Sequence, residues 1–167
     1  NNLLTLQVKS LLDKKNIAVL VLGGGAREHS IVWKLAQSPF NPKVFAMPGN
    51  AGTSQHATNI SGDITDPLIV HTAVVSNGID LVVIGPEAPL VAGVSDHLRS
   101  SGVNVFGPSR DAARVESSKS FAKSLMKEAG VPSATFEVFS EIEPAREYIR
   151  QKGTPIVVKA DGLAQGK

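Results

Sequence analysis

Three consecutive glycines, Gly23, Gly24 and Gly25, are followed by Ala26, Arg27, Glu28 and His29, directly behind the apolar run 17–22. A strand that stops on glycines and restarts as a helix is suited to anions. Glycine allows close backbone approach, and the first helical turn offers free N–H groups at the positive end of the dipole. Two further loops carry similar chemistry: "MPGNAGT" at 47–53, with Asn50 and Gly52, and "GPEAPLV" at 85–91, with Glu87. Lys119 lies in "ESSKSFAK", and Lys159 closes the apolar run "PIVVK" before "ADGLAQGK", which contains Gly162, Gly166 and Lys167.

Which anion these loops suit can be narrowed from the residues. A dinucleotide fingerprint needs G-x-G-x-x-G and an acid at the end of the second strand. Gly23 and Gly25 fit, but Glu28 occupies the third glycine position and the second strand ends in Met47 and Pro48. A nicotinamide dinucleotide is therefore disfavoured, whereas a phosphorylated sugar still suits the geometry. Glu28 has two readings: an acceptor for ribose hydroxyls or an amine, or a solvated first-turn acid contributing about 0.3–1 kcal/mol to its helix. Arg27 reads either as a phosphate partner or as a surface charge. Lys159 reads either as a phosphate ligand or as a charge marking the exit of a strand, since an ammonium does not sit in an apolar run without a partner. His29, His56, His71 and His97 show no metal-ligand spacing and are read as ordinary helix or loop residues.

The elements that position these loops follow from two alternating periods. Runs 17–22, 43–47, 80–84 and 103–106 are continuous and apolar, as in strands covered on both faces. Between them Ile31, Val32, Leu35 and Ala36 recur at helical spacing, and Asp66 followed by Pro67 begins a helix through "LIVHTAVVSNG". A further helix is expected over 90–102. This rhythm predicts an α/β fold: a parallel, doubly wound, Rossmann-like sheet of four strands, with the three loops gathered on one edge. Beyond 107–109 one long helix is predicted over 110–130, stopped by Gly130 and Pro132. A strand over 134–139, a helix over 141–153 and a strand over 154–159 complete the pattern. Residues 16 to about 110 should close a core, while 132–167 have too few strands to cover their own apolar faces.

Composition limits the function classes. The 167 residues are 42% hydrophobic and 19% charged, as in a globular protein with a core. The net charge is +2, its basic residues are scattered, and only 5% of residues are aromatic, which argues against a nucleic-acid surface. No cysteine is present, so disulfides and thiolate chemistry are excluded. The apolar runs are too short to span a bilayer, and residues 1–15 show no signal-peptide pattern; they are read as an N-terminal extension, with a processed leader remnant or a domain junction left open. A cytoplasmic location is expected, with organellar targeting left open.

Six segments together resemble one family: "GGGAREHSIVWKLAQSP", "PGNAGT", "IGPEAPLVAGV", "FGPS", "ESSKSFAK" and "IVVKADGLAQGK". They are similar, in identity, order and spacing over 16–167, to the phosphoribosylamine–glycine ligases, or glycinamide ribonucleotide synthetases. The resemblance implies a Rossmann-like substrate domain over 16–110, a connecting helix over 111–131 and the beginning of an ATP-grasp lid over 132–167. It also implies the reaction: ATP, glycine and 5-phosphoribosylamine give ADP, phosphate and glycinamide ribonucleotide by way of an acyl phosphate. By resemblance Lys119, Lys159, Gly162, Gly166 and Lys167 would serve ATP. Gly23, Gly24, Gly25, Arg27, Glu28, Asn50, Gly52 and Glu87 would face the ribosylamine. The Mg²⁺ ligands of the family are expected beyond residue 167, so no catalytic residue or metal ligand is assigned within the chain, and the chain alone is expected to be inactive. Small-molecule substrates are the expected partners, with fusion to or association with other purine-pathway domains left open. The alternative is a non-catalytic Rossmann nucleotide-binding module.

Overall fold

A computed structural model describes residues 16–162. The chain divides into two compact units, one up to Ala113 and one from Arg114 onward.

The first unit is built on a parallel sheet of five strands in the order β3-β2-β1-β4-β5. They are β1 (Ala18–Gly23), β2 (Lys43–Pro48), β3 (Thr58–Asn59), β4 (Leu81–Ile84) and β5 (Asn104–Phe106). All six residues of β1 are buried because it lies between β2 and β4, with Val21 opposite both Ala46 and Val83. The alternation of its side chains divides the core. Leu20 and Leu22 join Phe45, Met47, Val70, Val74, Val82 and Leu98 on one face. Val21 joins Val32, Val44 and Ala46 on the other. Helix α1 (Ala26–Ala36) supplies Val32 to the second face, and α2 (Pro67–Asn77) supplies Val70 and Val74 to the first. The sheet is therefore covered on both sides, as its apolar runs require. The chain turns back between β1 and β4, so the loops after these strands open at the switch point of the sheet.

Local chemistry explains where the helices start and stop. Asp66 caps α2, its Oδ1 accepting from the amides of Leu68 and Ile69 at 2.8 and 3.3 Å, and left-handed Gly78 (φ +60°) closes it. The helix expected over 90–102 is instead two short ones, α3 (Glu87–Val91) and α4 (Val94–Ser100). Gly93 breaks them with φ +83°, a conformation no helical residue holds. Likewise the stretch 110–130 is α5 (Arg110–Ser117) and α6 (Lys119–Glu128). Extended Ser118 separates them, because its Oγ accepts from the Phe121 amide at 3.2 Å and so caps the second helix. The fifth strand, β3, is polar and two residues long and carries no apolar signal.

In the second unit α6 is followed by α7 (Ile142–Lys152). The strands expected over 134–139 and 154–159 do not form: a strand is defined by its ladder partner, and these segments have none among the described residues. Val157 and Val158 stand 77% and 75% exposed, so the apolar run of that segment is uncovered. No described residue from Arg114 onward is fully buried, and Ala113 is the last core residue. Among the described residues no helix is long and apolar enough to cross a membrane.

Candidate functional site

The site in the first unit is organised around one carboxylate. Glu28 is the third residue of α1, and it turns back so that its Oε2 accepts from the Gly25 amide at 2.7 Å. This is half of a capping box, with glycine in the place of the usual hydroxyl residue. Glu28 is only 4% exposed, which removes the reading of a solvated first-turn acid. Its seat is made by glycines from two loops. A Cβ on Gly85 would lie 2.2 Å from Oε1, one on Gly23 2.5 Å from Cγ, and one on Gly25 2.9 Å from Oε2. Oε1 is buried and has no hydrogen-bond partner. Arg27 Nε lies 3.5 Å from it, close enough to supply charge but too poorly placed to donate a hydrogen bond. A carboxylate only accepts, and leaving a buried acceptor unfilled costs about 1–3 kcal/mol. Such an oxygen suits a ligand that brings a hydroxyl or an ammonium.

The other two loops close around this carboxylate. Arg27 also reaches Glu87, at the start of α3, with Nη1 3.5 Å from Oε1. Both partners are substantially exposed, so the pair contributes little to stability and remains open to a phosphate. Asn50 ties the β2 loop to the glycines: its Nδ2 donates to the Gly24 carbonyl at 2.9 Å, while its Oδ1 accepts from the amides of Gly52 and Thr53 at 2.7 and 2.9 Å. Thr53, which is buried, and exposed Asn59 complete the loop, Thr53 Oγ1 donating to Asn59 Oδ1 at 2.8 Å and Asn59 Nδ2 donating to the Asn50 carbonyl at 2.9 Å. With its amide group engaged at both ends, Asn50 holds backbone. Gly24 is needed for the same closeness, since a Cβ there would meet the Gly49 carbonyl oxygen at 2.7 Å. The structure thus brings Gly23, Gly24, Gly25, Arg27, Glu28, Asn50 and Glu87 together at the carboxyl ends of β1, β2 and β4. Gly52 lies beneath His29, whose ring leaves no room for a Cβ.

The histidines pair with one another. His29 stacks on His56 with centroids 6.2 Å apart, and His71 meets His97 across α2 and α4 at 3.3 Å. Among the described residues no group of three or more acidic or histidine side chains is placed to hold a metal ion.

In the second unit, the start of α6 is taken by Asp161. Its Oδ1 accepts from the amides of Lys119 and Ser120 at 2.6 and 3.2 Å, and its Oδ2 from the hydroxyls of Ser120 and Ser118 at 2.6 and 3.1 Å. The hydrogen bonds from Ser120, hydroxyl first and amide second, hold the Asp161 carboxyl well below the ordinary carboxylate range. Lys119 Nζ donates to the Gly162 carbonyl at 2.8 Å. Lys159 is exposed. Gly166 and Lys167 lie outside the described residues.

Residues 17–116 match the family described as phosphoribosylglycinamide synthetase, N domain, and residues 117–167 match its ATP-grasp (A) domain. The chain belongs to the phosphoribosylglycinamide synthetase family. It is 50% identical over 149 residues to the phosphoribosylamine–glycine ligase of Agrobacterium fabrum, covering 89% of this chain and 35% of that protein. The Haemophilus influenzae ligase is 50% identical over 152 residues with the same coverage. In structure the chain is similar to the phosphoribosylamine–glycine ligase of Thermotoga maritima, with a TM-score of 0.71 and 36% identity over 90% of this chain and 34% of that one. The chain thus spans about a third of the length of the curated relatives it matches.

Four residues escaped the reading of the sequence. Gly85 gives Glu28 its room, Thr53 and Asn59 fix the Asn50 loop, and Asp161 occupies a helix start 42 positions from Lys119. The first had a signal, a glycine at the end of the third apolar run. The polar residues had none, because hydrogen bonds between distant segments leave no period in a sequence.

Proposed function

We propose that the chain is the amino-terminal part of an ATP-dependent ligase that joins glycine to 5-phosphoribosylamine, releasing ADP and phosphate. The three loops of the first unit bind the phosphorylated ribosylamine, and the segment from residue 117 begins the ATP-handling part. The family and the relatives' names support this reading, and the match of 117–167 to an ATP-grasp domain disfavours a free-standing Rossmann module.

The observation that carries it is the free Oε1 of Glu28. An acid at this place excludes a pyrophosphate lying across the start of α1, because two like charges would share one pocket. It welcomes the hydroxyls or the amine of a single sugar, each of which recovers the unfilled acceptor. The amides of the glycine loop and Arg27 then stand beside the acid for a phosphate. The residues so act by positioning: they fix the sugar and orient its amine for attack.

Bound ATP supplies the phosphoryl group that activates the carboxylate of glycine. Exposed Lys159 fits a phosphate contact. Lys119 donates one of its three N–H groups to Gly162, which leaves two for phosphate oxygens. No described residue is assigned to Mg²⁺.

The test is Glu28→Gln in the full-length ligase, with each substrate varied in turn. The change removes the charge and presents an amide donor where the sugar must donate. A charged hydrogen bond is worth about 1.5–3 kcal/mol, so the KM for phosphoribosylamine should rise by on the order of tenfold or more. The KM for ATP should stay within about twofold. Loss of ATP affinity with the ribosylamine unaffected would reverse the assignment of the two glycine loops.

A further inference from the structure

The carboxylate of Asp161 sits across the start of α6, and every lone pair it offers is used. It takes two backbone amides and two serine hydroxyls, at 2.6 to 3.2 Å. Lys119, the first residue of that helix, reaches the other way and donates to the carbonyl of Gly162, the residue after Asp161. The two segments are therefore clasped twice, once by each partner's side chain on the other's backbone. The helix start itself is held in place: Ser118 caps it through the Phe121 amide at 3.2 Å, and the Arg114 guanidinium lies 3.9 Å over the Phe121 ring. These contacts unite residues 42 and 43 positions apart in a unit without a buried core, so they hold what apolar packing does not. The helix dipole favours an anion at this end, and the bonds from Ser120 hold the Asp161 carboxyl below the ordinary carboxylate range.

We infer that Asp161 is a positioning residue: it clasps the chain at 160–162 to the amino end of α6, so that Lys119 is held against the Gly162 carbonyl in a fixed place. The role in nucleotide binding rests on the ligase reading above; the clasp itself does not. Losing it frees the Lys119 side chain and the chain at 160–162, and a nucleotide phosphate that Lys119 meets must then order both on binding.

Two measurements decide it. In the present chain, amide exchange followed by NMR should show Lys119 and Ser120 at least about tenfold faster in Asp161→Ala than in the parent, with β1 unchanged. Asp161→Asn, which keeps one acceptor oxygen, should fall between. In the full-length enzyme, Asp161→Ala should raise the KM for ATP by on the order of tenfold with kcat altered much less, and Asp161→Asn should restore part of the loss. Unchanged exchange at Lys119 and Ser120 overturns the clasp. Faster exchange with an unaltered KM for ATP overturns the positioning role. A parent enzyme that consumes no ATP sinks the ligase reading instead, and the exchange experiment then judges the clasp alone.

Discussion

Replacing Gly85 with alanine tests the seat of Glu28 directly. The backbone of Gly85 is not in the left-handed region, so alanine adds no conformational strain and the effect is steric. Its Cβ would lie 2.2 Å from Oε1, 2.6 Å from Cγ and 2.7 Å from Cδ of Glu28. Three atoms of one side chain cannot all yield by a few tenths of an ångström, so the whole carboxyl must swing out. That forfeits the 2.7 Å bond to the Gly25 amide, a charged hydrogen bond worth about 1.5–3 kcal/mol. Overpacking adds about 1–3 kcal/mol where relaxation is incomplete. The total of about 2.5–6 kcal/mol corresponds, for a unit of about 100 residues, to a drop in Tm of about 10 °C or more. The control is a double-mutant cycle with Glu28→Ala, in which the intruding Cβ finds the vacated space. Urea unfolding of the four proteins should give a coupling close to the full cost of Gly85→Ala in the parent, about 2.5–6 kcal/mol, Gly85→Ala being nearly neutral in the Glu28→Ala background. If Gly85→Ala is harmless in the parent, or equally costly in both backgrounds, the seat is not where the structure puts it.

Other expectations follow from single contacts. Asp66→Ala removes the cap of α2 and should destabilise the first unit by about 1 kcal/mol in urea unfolding. Lys159→Ala in the full-length ligase should weaken ATP binding, measured by titration calorimetry, while Tm moves by no more than about 2 °C, because the side chain is exposed. The folded pKa of Asp161 is lowered, chiefly by the Ser120 hydroxyl, so its contribution is full above the ordinary carboxylate pKa of 3.8 and is lost only as pH falls through the depressed folded value. A carboxyl ¹³C titration should therefore place its midpoint clearly below 3.8, and a midpoint at or above that value would show the hydrogen bonds to be absent in solution.

The sheet was legible because its signal is repeated. Four continuous apolar runs each announce a strand covered on both faces, and Asp66 with Pro67 announces a helix start by chemistry that needs no distant partner. What the sequence concealed is what depends on contact between segments. Gly93 and Ser118 each interrupt what looks like one helix, the first by a left-handed φ and the second by a cap. A helical period cannot show either, since the apolar positions continue across the break. The strand expected at 154–159 has the right residues and no neighbour to pair with among those described, which periodicity cannot register. At the site the glycines, Arg27, Glu28 and Glu87 were visible as unusual loop residues. The burial of Glu28 was not, because it depends on Gly85, which follows the neighbouring strand β4 and lies far off in sequence.

The two helix starts that carry the chemistry here show why a single rule of sequence reading treats unlike cases alike. Both α1 and α6 present free amides to an anion, and in both the chain supplies the anion itself, Glu28 for one and Asp161 for the other. The difference lies in the second oxygen. Asp161 is satisfied on both, by two amides and two hydroxyls, so a phosphate arriving at α6 would have to displace a carboxylate that already has what it needs. Glu28 is satisfied on one oxygen and leaves the other buried and empty, a deficit of about 1–3 kcal/mol that only a donor brought from outside removes. A filled carboxylate holds structure, and a half-filled one in a glycine cradle is the candidate for a ligand. By that criterion the start of α6 is a joint rather than a binding site, and under the proposed ligase reading nucleotide phosphates would be met by side chains such as Lys159 instead of by the amides of α6.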